Sequence, residues 1–147
     1  MRFVTRKNAA VDRIACPWLM RRFLDQEAEF LYVDPEDVAR VAREKDAVPF
    51  DVEGVELGHV DGRCSFESIL LKYRLDEPAL GRMARIVHGA DVDADVDQTP
   101  ESAGLRAIAM GFRRLYGDRD HEKLEAEMPL YDALYAWCQE QVAAELA

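Results

Sequence analysis

The chain has 147 residues, 49% hydrophobic and 33% charged, with a formal net charge of −10. That balance predicts a single soluble domain over 1–147, large enough to build a core unaided, and excludes a nucleic-acid surface or an anionic membrane as the main partner. No apolar run approaches a membrane span or a signal-peptide core, and three scattered cysteines (Cys16, Cys64, Cys138) with no CxxC pair suit a reducing, cytoplasmic compartment.

Charge is unevenly placed. Residues 1–22 carry Arg2, Arg6, Lys7, Arg13, Arg21 and Arg22 against the single acid Asp12. Such a patch either holds a small anion or is a solvated face.

Residues 2–5 alternate charged and apolar and read as a short strand, followed by a loop over 8–11. In DRIACPWLMRRF, Pro17 fits the first turn of a helix running through Phe23, which puts Cys16 at its cap. Cys16 then reads two ways. A thiol at a helix N-terminus is a reactive group, whereas i, i+3, i+4, i+7 spacing with Leu19, Met20 and Phe23 makes it a core residue. AEFLYV (28–33) is the clearest strand. Asp34-Pro35 opens a helix to Glu44 with Val38, Val41 and Ala42 inward. Residues 48–50 form a second short strand, an extended segment punctuated by Gly54 and Gly58 ends at His59, and Asp61-Gly62 marks a turn.

Beyond this point the pattern is helical. Ser65 caps a helix through Tyr73, and Asp76 caps one over 77–89 with Leu80, Met83, Ala84 and Val87 as its stripe. ADVDADVDQ (90–98) is an acidic loop without the glycine or terminal glutamate of a calcium loop. Thr99-Pro100 starts a helix with Leu105, Ile108, Ala109, Phe112 and Tyr116 inward, closing at Gly117. Residues 118–146 form a last helical region, kinked or restarted at Pro129. Its wide apolar surface includes Cys138 and requires deep burial or a homodimer. Strands before residue 60 and helices after it predict an α+β fold, a small N-terminal sheet packed on a mostly helical C-terminal layer.

No phosphate loop, dinucleotide fingerprint, GxSxG or HExxH motif is present. The chemistry-bearing residues are the histidines and their acidic neighbours. His59 and Glu67 flank the strand-to-helix transition around Cys64, and His88 and Asp91 stand i, i+3 at a helix end. Imidazoles and carboxylates in this pattern suit a divalent metal, zinc or iron. His121 either joins that site or is a semi-buried imidazole on the apolar stripe.

DRIACPWLMRRF, EFLYV, VPFDVEGVELGHVDGRCSFES, IVHGADVD and LYDALYAWC together resemble the chromate-resistance family, specifically the C-terminal domain of ChrB-type proteins, over nearly the whole chain. The resemblance implies a part in bacterial chromate resistance. Longer members are linked to chromate-responsive regulation through an N-terminal half that this sequence lacks, so no nucleic-acid partner is carried over. Two functional readings follow. In the first, His59, Glu67, His88 and Asp91 hold a metal in a redox or metal-dependent enzyme that protects against chromate. In the second, Arg13, Arg21 and Arg22 bind an oxyanion such as chromate or sulfate, Cys16 senses or reduces it, and the protein signals through a partner.

Overall fold

The computed structural model describes residues 1–147 as an α+β fold. Strand β1 (Arg2–Arg6) lies between β2 (Glu29–Val33) and the two-residue β3 (Val48–Pro49), and both pairings are parallel. Helix α1 (Asp12–Phe23) connects β1 to β2, and α2 (Val38–Glu44), entered through a 3-10 turn over Pro35–Asp37, connects β2 to β3. A 2-1-3 order with crossovers of one hand places these helices on opposite faces of the sheet. The side chains agree. Phe3, Phe30 and Phe50 face the main core with α1, whereas Val4 packs with Val38 and Ala47 on the α2 side.

Helices α3 (Ser65–Lys72), α4 (Pro78–Asp91), α5 (Ser102–Tyr116) and α6 (Asp120–Leu146) form the helical layer that buries the α1 face of the sheet. Gly89 is required where α4 meets α5, because a Cβ there would lie 2.3 Å from Ser102 Oγ. The first turn of α6 grips the loop between β1 and α1. Asp120 accepts from the N–H groups of Asn8 and Ala9, and the fully buried Lys123 ammonium donates to the carbonyls of Ala9 and Gly117.

Five local expectations are corrected. Helix α1 begins at Asp12 and not at Pro17, so Cys16 is no cap; it is fully buried. Pro17 therefore sits in the second turn and denies the Arg13 carbonyl its helical donor. The Tyr32 hydroxyl from β2 donates to that carbonyl at 2.8 Å and replaces the missing bond. The segment before His59 is a series of turns held by a single bridge between Phe50 and Leu57, and Asp93–Gln98 forms a 3-10 turn in place of a plain loop. Helix α6 is continuous through Pro129. On α5, Leu105 and Ala109 are buried but Ile108 is exposed, narrowing the predicted stripe.

Candidate metal centre

In a sheet wound on both faces, the chain leaves the carboxyl ends of neighbouring strands in opposite directions and opens a crevice there. Arg6 ends β1, Asp51 follows β3, and Asp12 opens α1. These three, with Arg13, Glu53 and Gly54, line a cavity of about 420 Å³ that His59 and Asp91 complete.

One oxygen or nitrogen each from Asp12, Asp51, His59 and Asp91 lie within 4.8 Å of one another. His59 Nε2 is 3.0 Å from Asp91 Oδ2 and 3.5 Å from both Asp12 Oδ2 and Asp51 Oδ1. Helix ends hold the acids in place. The Ser65 N–H, first in α3, donates to Asp12 Oδ2 at 2.8 Å, and the Asp12 N–H, first in α1, donates to Asp91 Oδ1 at 3.3 Å. Each carboxylate thus sits at the positive end of a helix other than its own. Asp51 takes a left-handed backbone (φ 51°), a conformation aspartate tolerates. It accepts the Ser65 hydroxyl at 2.6 Å and pairs with Arg6 and Arg13 at 3.3 and 3.4 Å. The His59 loop is pinned by Ser68 Oγ, which donates to the Gly58 carbonyl at 2.7 Å.

The electrostatics of this cluster are those of too many acids in one place. Burial, reinforced by repulsion from Asp91, pushes Asp12 up to about 8 despite the His59 contact. Bonds to Asp12, Asp51 and Asp91 push His59 up to about 12. Burial acts to raise Asp51 as well, but His59, Ser65 and the two guanidinium groups outweigh it and hold that carboxyl below its ordinary value. Asp12 Oδ1 is buried and has no hydrogen-bond partner. A carboxylate oxygen left so is costly unless a proton or a cation meets it, and a His-plus-three-carboxylate set suits a divalent cation with borderline or hard character.

The structure brings His59 and Asp91 together as the sequence suggested, and separately brings His88 to Glu67. It does not join all four. His88 Nδ1 lies 2.5 Å from Glu67 Oε1 and its Nε2 lies 2.7 Å from Asp95 Oδ2, so the expected ligand set divides into two groups. The reason is local. Helix α4 persists to Asp91, and residues three apart on it face different neighbours, α1 for Asp91 and α3 for His88.

The arginine cluster also divides. Arg13 lines the cavity, whereas Arg21 pairs with Glu125 and Arg22 with Asp132 along α6. Cys16 stands apart from this chemistry: it is fully buried and belongs to neither ligand group, and burial, reinforced by the nearby Asp12 charge, pushes its thiol well above the usual range. His121 is exposed, edge-on to Tyr32, and belongs to neither group. Asp12, Asp51 and Asp95 were not singled out as site residues by the sequence reading, and Arg6 entered it only as one charge of the basic patch. The signal for Asp12 and Asp51 was their place just after strands, which identifies a site only once the strand order is known.

A small parallel sheet wound on both faces, with a carboxylate–imidazole cluster in the crevice at its strand ends, defines a compact α+β protein carrying a candidate cation centre. Residues 3–138 match the family model described as "ChrB, C-terminal domain", and the chain belongs to that family. It is 37% identical over 136 residues to Protein ChrB of Cupriavidus metallidurans (strain ATCC 43123 / DSM 2839 / NBRC 102507 / CH34), a match that covers 90% of this chain and 39% of the relative. The chain therefore spans about two-fifths of that relative's length. No solved structure matches it. No helix is long and apolar enough to cross a membrane.

Proposed function

We propose that this protein acts in chromate resistance as a cytoplasmic divalent-metal-binding protein, with zinc or iron held by His59, Asp12, Asp51 and Asp91. Family membership supports the chromate-resistance part, and three unpaired cysteines suit the compartment. The metal part rests on one observation: three carboxylates converge on a single imidazole while a buried oxygen of Asp12 goes unpartnered. A dication supplies the positive charge that Asp12 lacks and converts a mutually repelling set into a ligand shell.

Charge also favours the first of the two sequence readings. Asp12, Asp51, Asp91 and Glu53 face the cavity against Arg6, Arg13 and His59, and both guanidinium groups are already engaged by Asp51. That environment favours a cation first. An oxyanion such as chromate would then bind beside the metal, using Arg6 and Arg13 as counter-charges. This gives the arginines a role in a metal-dependent reaction and removes the need for a separate sensor built on Arg21 and Arg22.

Elemental analysis of protein stripped with chelator and reloaded with zinc or iron(II) tests the reading. His59→Ala should carry one equivalent less than the parent chain. Equal metal content in the two, with chromate or sulfate raising the melting temperature of both in the absence of metal, would return the site to the oxyanion reading.

A further inference from the structure

We propose that Cys64, Glu67 and His88 form a second cation site, softer than the first and suited to zinc, with Asp95 orienting the imidazole. One donor atom from each of the three lies within 4.8 Å of the others. The site stands independently of the His59 centre, with which it shares no ligand.

The local fold makes this grouping. Cys64 is the cap residue of α3, and Glu67, three residues on, reaches back so that its Oε1 accepts the Cys64 N–H at 2.9 Å. This reciprocal cap fixes a carboxylate beside a thiol. His88 arrives from the last turns of α4 and turns Nδ1 toward Glu67. Its other nitrogen meets Asp95 from the 3-10 turn at 2.7 Å, the carboxylate–histidine arrangement that sets the tautomer and orientation of a metal-bound imidazole. Cys64 is fully buried and His88 nearly so; the thiol packs at the edge of the main core and also comes within reach of an imidazole and a carboxylate, which hydrocarbon packing alone does not require.

The donor chemistry separates the two sites. The His59 centre offers oxygen and one nitrogen, whereas this one adds sulfur and selects thiophilic ions. The charges close: a thiolate and the Glu67 carboxylate neutralise one dication, with His88 neutral and its Nε2–H kept on Asp95. Without the ion, His88 as an imidazolium donates from Nδ1 to Glu67 and from Nε2 to Asp95; binding forms bonds from the ion to Sγ, Nδ1 and a Glu67 oxygen, and the thiol proton and that Nδ1 proton go to solvent, which leaves His88 neutral.

Cobalt(II), a spectroscopic stand-in for zinc, tests this on the full chain after chelation. The expected result is a near-ultraviolet thiolate-to-cobalt charge-transfer band that survives in His59→Ala and disappears in Cys64→Ser. Asp95→Asn, an isosteric change at a half-exposed side chain, should weaken cobalt binding roughly tenfold or more, the usual effect of losing a partner that orients a ligand. Absence of the band in the parent chain, its persistence in Cys64→Ser, or unchanged affinity in Asp95→Asn each overturns the proposal. Loss of metal from the His59 centre alone leaves the band in place, so the two readings fail separately.

Discussion

Two buried acids, Asp12 and Glu127, share an environment and differ in what faces them. Burial pushes each up to about 8, and each has carboxylate oxygen without a partner. Asp12 opens onto a cavity lined by titratable groups. Glu127 lies inside α6 between Lys123 and Tyr131, where only the Lys123 charge opposes its protonation. For Glu127 the consequence is for stability. Its folded value exceeds the ordinary 4.5, so its contribution is complete below about pH 4.5 and is lost as pH rises toward 8. In that window the folded protein keeps a proton that the unfolded chain has released, at about 1.4 kcal/mol per pH unit. Glu127→Gln keeps the neutral shape and removes the slope. Urea denaturation at pH 5 and pH 8 should show the variant gaining on the order of 2 kcal/mol or more on the parent between the two; parallel losses in both proteins would place the ionisation elsewhere.

At the scale of elements, α1 shows how a proline in mid-helix is accommodated. The Tyr32 hydroxyl stands in for the amide that Pro17 lacks, so Tyr32→Phe should cost about 1 kcal/mol in denaturant unfolding. Pro17→Ala restores the helical donor, and in that background the loss of the hydroxyl should cost clearly less; equal costs in both would show that the two features do not interact. The same element marks the limit of the sequence reading. The helices after residue 60 were legible because their apolar spacing follows 3.6 residues. The start of α1 was not, because proline is favoured at a first helical position and the Tyr32 partner lies 15 residues beyond Pro17 in sequence. His59, Glu67, His88 and Asp91 were visible as residue types. Their division into two groups depends on how α4 packs between α1 and α3, and the part played by Asp12 and Asp51 depends on a 2-1-3 strand order set by burial on both faces of a short sheet. No periodicity in the chain carries that information.

For the whole molecule, the proposed His59 centre would act as a cross-link. Its ligands come from α1, the segment after β3, the turn before α3, and the last turn of α4, so one ion would join the sheet to the helical layer across 79 residues of chain. Free of the ion, these acids repel one another within a protein already at −10, and cation binding relieves that repulsion only in the folded state. Linkage then requires the melting temperature to rise with metal concentration. At a hundredfold excess over Kd the gain is about 2.7 kcal/mol, or roughly 5–10 °C for a domain of this size. Zinc added to the Cys64→Ser protein isolates this centre from the softer group, and a concentration-dependent shift of that order is expected there. Asp91→Asn in the same background removes one charge and one ligand while leaving an oxygen to accept the Asp12 N–H, so most of the shift should vanish while the fold persists. An equal shift with and without the Asp91 carboxylate would mean that the ion binds somewhere that does not tie the two layers together.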